Sequence, residues 1–453
     1  MTYEEAIAYL GSFANYEESR RRQALRRVKL ERMRRVCERL GNPQRAFRSI
    51  LVAGTNAKGS ISAIAYSILR QSTLRVGLYT SPHLESLRER IRVWSGGPGP
   101  RMHRDDWITE EAFASAVSEL QPVLDSMRKD PPTYFEAITA AAFLHFRRQR
   151  IEVAVLEVGL GGRLDATNVV QQAVSVIGPI GLDHAEVLGK EPERIAKEKA
   201  AIIKSSHLVL TSPQPEPVLD EIRAAAEAHG ALLAIGGRDL TATIQHHGLD
   251  GLQLTLAGLR GIYESVDLPL VGRHQAMNAV LAVAAVEALS DRGIPHAMVE
   301  EGLAAVEWPG RLEVLGENPL VLIDGAHNPP AAAALRATLE ELAPGRKVFL
   351  LVGMSVDKAV EAWGEQLGPI AHSVTCTKSR NPRSMDPTKL AKRLMPYCHD
   401  VHVITDPADA YTYILNVAQP GDVLVVTGSL FLVGEVRLAL QKASERIRRT
   451  AVA

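Results

Sequence analysis

Only three cysteines occur in the 453 residues, Cys37, Cys376 and Cys398. Such an odd, scattered set builds neither a disulfide framework nor a zinc knuckle, so a reducing compartment is expected. Net charge is missing too. The 52 basic residues balance 52 acidic ones, which removes any global attraction to nucleic acid or membrane. No uninterrupted apolar run approaches the length that spans a bilayer. The opening Met1-Thr2-Tyr3-Glu4-Glu5 has neither the basic nor the apolar region of a secretion signal, so a cytoplasmic protein is expected. There is no internal repeat, and only Gly96-Gly97-Pro98-Gly99-Pro100 resembles a flexible low-complexity insert.

What is present describes a globular protein of two or three domains, with 46% hydrophobic and 23% charged residues. From Ser49 onward β-rich runs (Ile50–Ala53, Arg75–Tyr79, Ile151–Val158, Ala173–Ile177, Leu208–Thr211) alternate with helical patterns (Ile61–Arg70, Tyr134–Arg148, Glu193–Lys204). This alternation predicts a mainly parallel sheet covered on both faces, with ligands bound where strands end. Residues 234–270 predict antiparallel strands, followed by an alanine-rich helix at Gln275–Leu289. A composition shift near Gly293-Ile294-Pro295 divides the chain into domains 1–295 and 296–453. A second alternating series then runs through Val321–Asp324, Lys347–Val352, Ser373–Cys376, Val401–Ile404 and Val423–Thr427. Residues 3–40 predict one amphipathic helix or two. The arginines of this segment, from Arg20, Arg21 and Arg22 through Arg26 and Arg27 to Arg34 and Arg35, are interspersed with Glu31 and Glu38 and read as a solvated face. A surface for a polyanionic small molecule is the intermediate alternative.

The first chemical signal is the apolar strand that runs into Gly54-Thr55-Asn56-Ala57-Lys58-Gly59-Ser60 and then an apolar helix. Glycines there let backbone N–H groups face phosphate oxygens, Lys58 adds charge, and the Thr55 and Ser60 hydroxyls suit phosphate or Mg²⁺. The usual order Gly-Lys is inverted, so this loop alone also fits an ordinary strand-to-helix turn. Four clusters follow other predicted strands. Tyr79-Thr80-Ser81-Pro82-His83-Leu84 offers the Ser81 hydroxyl to a metal. In Leu156–Asn168, Glu157 ends an apolar strand, where a carboxylate needs a cation. Ile180–Gly189 places His184 past a strand end, and Ile195–Lys204 reads, by itself, as an amphipathic surface helix.

In this order the motifs resemble the folylpolyglutamate synthase and dihydrofolate synthase family of the Mur ligase superfamily. The resemblance extends through Gly272-Arg273-His274-Gln275 with Asn278, Trp308–Glu313, Asp324-Gly325-Ala326-His327-Asn328-Pro329 and Thr427-Gly428-Ser429-Leu430. It implies a P-loop NTPase-like, mainly parallel sheet domain followed by a smaller Rossmann-like, doubly wound C-terminal domain. It assigns Gly54, Thr55, Asn56, Lys58, Gly59 and Ser60 to ATP phosphates, and Ser60, Ser81, Glu157 and His184 to Mg²⁺. Gln275 and Asn278 fall on the adenine side, while Arg311, Asp324 and His327 reach ribose and phosphates. Lys58, Lys199, His184 and Arg311 take catalytic roles, and Lys199 matches a lysine carbamylated into a carboxylate-like metal ligand, in place of the surface-helix reading. Room is left for a monovalent cation. His83, Phe135 and Asp165 fall on the folate side, and Glu136 lies beside them. Two departures stand out. Ala57 replaces a glycine, an exchange expected only to restrict the backbone unless φ there must be positive, and Ala201 replaces a glycine after the reactive lysine.

The implied reaction joins L-glutamate to dihydropteroate or folate through an acyl phosphate, with ADP and phosphate released, in a monomer that binds small molecules and neither nucleic acid nor membrane. A Mur-type ligase acting on a cell-wall nucleotide precursor is the nearest rival. A nucleotide-dependent protein holding nucleic acid through residues 20–39 is the rival of another class.

Overall fold

The computed structural model describes residues 1–15, 17, 29–97, 99, 104–183, 185–189, 191–204 and 208–452. Contacts divide the chain into two compact units, one formed by Met1–His246, Leu252–Pro269 and His274–Glu307, the other by His247–Gly251, Leu270–Arg273 and Trp308–Ala453.

The first unit is built on seven strands: β1 (Arg48–Ala53), β2 (Val76–Tyr79), β3 (Ile91–Trp94), β4 (Val153–Glu157), β5 (Val174–Ile177), β6 (Leu208–Thr211) and β7 (Leu232–Ile235). Their order is β3-β2-β4-β1-β5-β6-β7. All neighbours are parallel except β2 and β3. Ile50, Leu51, Val52 and Ala53 are fully buried, as a central strand covered on both faces requires. Pairing of Val52 with Glu157, Ala53 with Ile177 and Tyr79 with Leu156 brings the C-terminal ends of β1, β2, β4 and β5 to one edge. From β1 the chain moves to β2 on one side, and after β4 it crosses to β5 on the other, which opens a crevice at that edge.

Helix Lys58–Leu69 leaves β1 and is buried from Gly59 to Leu69. It packs against helices His274–Glu287 and His296–Ala304 of the same unit. Gly302 permits this approach, since a Cβ there would fall 2.5 Å from the Ile68 Cα. A three-stranded sheet of β8 (Thr241–Gly248), β9 (Gly251–Ala257) and β10 (Ile262–Leu268) follows, with β10 antiparallel to β9.

The N-terminal segment holds two helices, Tyr3–Gly11, started by a Thr2/Glu5 capping box, and Leu30–Arg39. Arg20, Arg21, Arg22, Arg26 and Arg27 lie outside the described residues. In the second helix Arg32 is buried in a bidentate pair with Glu136, and Arg35 pairs with Asp130. In the Gly-Pro insert Gly97 donates to the Ser72 carbonyl and Gly99 to the Gln71 side chain, while Pro98 and Pro100 lie outside the described residues.

The second unit carries β11 (Glu313–Glu317), β12 (Leu320–Ile323), β13 (Val348–Val352), β14 (Ala371–Cys376), β15 (Val401–Val403) and β16 (Val423–Thr427) in the order β11-β12-β16-β13-β14-β15. Only β11 is antiparallel to its neighbour. The architecture is therefore the α/β arrangement expected from the sequence. Among the described residues no helix is long and apolar enough to cross a membrane.

At Ala57 the positive-φ alternative holds. This residue caps helix Lys58–Leu69 at φ 67°, in the left-handed region that costs a residue with a Cβ roughly 1–2 kcal/mol. Glycine would relieve that strain but lose more chain entropy, about 0.5–1 kcal/mol. Ala57→Gly is therefore expected to raise stability by up to about 1 kcal/mol. A higher urea midpoint at unchanged m-value is the expected result, and a lower midpoint would refute the strain.

Candidate functional site

Four loops meet at the C-terminal edge of the first sheet. The Gly54–Ala57 turn is tied to the segment after β5: Thr55 and Asn56 donate backbone N–H groups to the Pro179 carbonyl at 2.9 and 3.3 Å. The Thr55 hydroxyl donates to the Gly181 carbonyl at 3.0 Å and accepts from the Gly181 N–H at 3.1 Å. Gly54 and Gly178 are both required by this fit, because a Cβ on either would approach the Asn56 carbonyl oxygen within 2.8 and 2.9 Å respectively. Gln214 clamps the same segment, donating to the Gly178 carbonyl and accepting from the Ile180 N–H.

Lys58 begins the helix and folds back on its own loop, its Nζ donating to the Gly54 and Thr55 carbonyls at 3.2 and 3.3 Å. Lys199, in the last turn of helix Pro192–Ala200, reaches the same Gly54 oxygen at 2.7 Å. It is only 4% exposed. The surface-helix reading of this segment is thereby corrected at Lys199, and the predicted helix to Lys204 ends at Ala200. Burial, and next the ammonium of Lys58, push the Lys199 pKa down to about 7, against the attraction of Asp183 and Asp165. A lysine so placed is half neutral at physiological pH.

Glu157 ends β4, 5% exposed, and accepts the Ser81 N–H at 3.0 Å. Ser60 is buried in the first turn of helix Lys58–Leu69. Ser60, Ser81 and Glu157 bring oxygen donors to this edge of the sheet, a chemistry that suits a hard divalent cation such as Mg²⁺. His184 lies outside the described residues. Among the described residues no three His, Cys, Asp or Glu side chains converge as a metal centre.

Next to this set, His83 accepts the Arg90 Nε–H on Nδ1 at 3.0 Å. Burial and the Arg90 charge push its pKa down to about 3, so the ring is neutral at working pH. Phe135 lies against Tyr79, ring centroids 6.1 Å apart, and across Gly159, where a Cβ would fall 2.5 Å from the ring. Asp165 is turned inward: one oxygen accepts the Leu160 N–H and the other the Thr167 N–H and hydroxyl. Burial raises its pKa against those hydrogen bonds. Glu136 serves the helix start and the Arg32 pair. Gly162 lets this glycine-rich loop lie on the last turn of the Lys199 helix, with a would-be Cβ 2.8 Å from the Glu198 carbonyl oxygen.

Gln275 and Asn278 are buried on helix His274–Glu287, with the Asn278 amide donating to the Gln275 carbonyl oxygen at 2.9 Å. In the second unit Asp324 follows β12 and accepts from the Leu312 and Ala326 N–H groups at 2.9 and 2.8 Å. Burial raises its pKa, opposed first by the Arg311 charge. Arg311 donates to the Gly310 carbonyl, and His327 Nδ1 lies 2.8 Å from the Gly325 carbonyl oxygen. Trp363 and Thr427 fix the loop by donating to the Ala326 carbonyl.

Several site-shaping residues were not singled out from the sequence: Glu17, Glu89, Arg90, Gly178 and Gln214. Glu89 had a readable signal, since Ser86-Leu87-Arg88-Glu89 is a capping-box pattern. Its carboxylate takes the N–H groups of Leu84, Glu85 and Ser86.

Comparison with known proteins bears on the family and the fold. Residues 102–286 match the Mur ligase middle domain and residues 310–430 the Mur ligase, glutamate ligase domain. The Bacillus subtilis dihydrofolate synthase/folylpolyglutamate synthase is 34% identical, over 91% of this chain and 95% of its own. The structure of Escherichia coli FolC in complex with DHPP and ADP superposes with a TM-score of 0.85 at 29% identity, covering 98% of this chain and 99% of that one. That of the Yersinia pestis bifunctional folylpolyglutamate synthase/dihydrofolate synthase, complexed with AMPPNP and Mn ion, gives 0.82 at 28% identity, covering 97% and 98%. The chain thus belongs to the dihydrofolate synthase/folylpolyglutamate synthase family of Mur ligases.

Proposed function

We propose that this chain is an ATP-dependent ligase that adds L-glutamate to dihydropteroate, to folates, or to both, through an acyl phosphate. The observation that carries the reading is the meeting of Lys58 and Lys199 on the Gly54 carbonyl, beside a sheet edge that also holds Ser81 and Glu157. Relatives that match across nearly the whole chain carry the folate ligase names, and two of their structures hold adenine nucleotides, one with Mn.

A carboxylate is a poor electrophile, so it must be activated before an amine can attack. In the proposed sequence the pterin-linked carboxylate attacks the γ-phosphate of ATP and ADP leaves. The glutamate amine then attacks the acyl carbon and expels phosphate. The backbone N–H groups at the start of helix Lys58–Leu69 and the Lys58 ammonium hold the phosphates and offset the charge that gathers during transfer. Ser60, Ser81 and Glu157, with His184, would hold Mg²⁺, which supplies further charge neutralisation when bound. Neutral Lys199 is suited to take up CO₂, becoming an anionic carbamate directed at the same region. Gln275 and Asn278 are assigned to adenine, and Arg311, Asp324 and His327 to ribose and phosphates. His83 and Phe135 are assigned to the acid substrate, with Asp165 acting through the loop it shapes.

Phosphate release is expected only when ATP, dihydropteroate or a folate, and L-glutamate are all present. Release driven instead by a uridine-linked peptide acid would move the chain to the cell-wall branch. Lys58→Ala and Glu157→Gln should each lower turnover by orders of magnitude while circular dichroism and urea midpoint stay near wild type; near-normal turnover would remove that residue from the scheme.

Carbamate formation consumes the unprotonated amine, so its extent should climb as pH rises through about 7, the Lys199 pKa. At pH 6 roughly one lysine in ten is neutral, and at pH 8 roughly nine in ten. Labelled bicarbonate should therefore give a carbamate carbon resonance that strengthens from pH 6 to 8 and is missing in Lys199→Met. A protein that shows no such resonance at pH 8 leaves Lys199 as an amine.

A further inference from the structure

The loop that carries Ser81 and His83 is held from beneath by two consecutive residues just before β3. Glu89 takes three successive N–H groups, as described above. Arg90 holds the other half: its carbonyl accepts the Thr80 N–H at 3.1 Å, and its side chain donates to His83. Arg90 is 1% exposed, and its two terminal nitrogens donate to the two oxygens of Glu17 at 2.8 and 2.5 Å. This fork-to-fork geometry fixes the guanidinium plane, and with it the direction of the Nε–H bond.

That direction decides the state of the imidazole. An arginine Nε always carries hydrogen and cannot accept. His83 Nδ1, 3.0 Å away, must therefore present its lone pair, so the single proton of the neutral ring sits on Nε2. The opposite tautomer would set two N–H groups against each other. The ring can then offer its free nitrogen to a ligand in one way only, as a donor. Two residues earlier, Ser81 donates its N–H to Glu157, which places this donor beside the proposed reaction centre.

We infer that Arg90, clamped by Glu17, is a positioning residue that fixes His83 as an Nε2–H donor to an oxygen or ring nitrogen of the acid substrate. This rests on the ligase reading for the identity of the acceptor, whereas the tautomer is a property of the free protein. An arginine that only supported the fold would affect both substrates and would not depend on His83.

Nitrogen NMR of the full chain with isotope-labelled histidine tests the first half. The expected His83 signature is an unprotonated Nδ1 and a protonated Nε2 in wild type, and a mixture of tautomers in Arg90→Met. A protonated Nδ1 in wild type overturns the proposal. Kinetics test the second half. His83→Ala and Arg90→Met should each raise KM for the pterin acid about tenfold, the worth of one hydrogen bond, with KM for ATP within about twofold. In the His83→Ala background, Arg90→Met should add no further change in KM. Additive effects, or an equal rise in KM for ATP, would reduce Arg90 to a structural role and overturn the inference. Glu17→Gln removes the clamp charge with less risk to folding, and it should show a smaller KM rise with the same dependence on His83. If the wild type ligates no pterin acid, the functional reading fails, and the donor role with it, while the NMR result still decides how Arg90 orients His83.

Discussion

One carbonyl oxygen organises the C-terminal sheet edge of the first unit. Gly54 lies where β1 gives way to the turn before helix Lys58–Leu69, and its oxygen receives both Lys58 and Lys199. Two amines sharing one acceptor cannot both be charged without cost. Burial first, and the neighbouring Lys58 charge next, push the Lys199 pKa down. The arrangement needs a residue without a side chain at Gly54, another at Gly178, and a helix that ends at Ala200 so that its last turn presents Lys199 inward. A buried and partly neutral lysine is costly for folding, and this cost falls on the element that the proposed chemistry uses most.

Much of the architecture was legible because the signals were local. The parallel strands are short apolar runs between turns, and Leu208–Thr211, Val423–Thr427 and helix Tyr134–Arg148 stand where the sequence pattern put them. The two α/β units follow from alternation alone, but their sheet orders do not. β3 escaped notice because it is an edge strand with the arginine-containing sequence Ile91-Arg92-Val93-Trp94. Helix Glu110–Asp125 was missed too, and its interior Pro122 argues against a helix on local grounds. The surrounding contacts overrule it.

The site was legible in its motifs and opaque in its supports. Glycine-rich turns after strands announce a ligand edge, and Glu157 announces itself as a carboxylate in an apolar strand. The Glu17–Arg90–His83 chain spans 73 residues between its first two members, and no spacing rule connects them. Likewise the role of Lys199 came from the resemblance, since a lysine in a Lys-Glu-Lys run looks like surface until tertiary packing encloses it. Ala57 is the reverse case: the substitution was visible and its backbone strain was not, because φ is set by the loop that contains it.

The helix that starts at Lys58 is enclosed along its whole length, and Gly302 brings a neighbouring helix against its far end. A rod gripped in this way cannot slide or tilt without opening the interior on every side. Whatever adjustment accompanies a change of ligand must then be absorbed by the swing of individual side chains and by the turns that flank the rod, so its first residues form a fixed reference point for the loops around them.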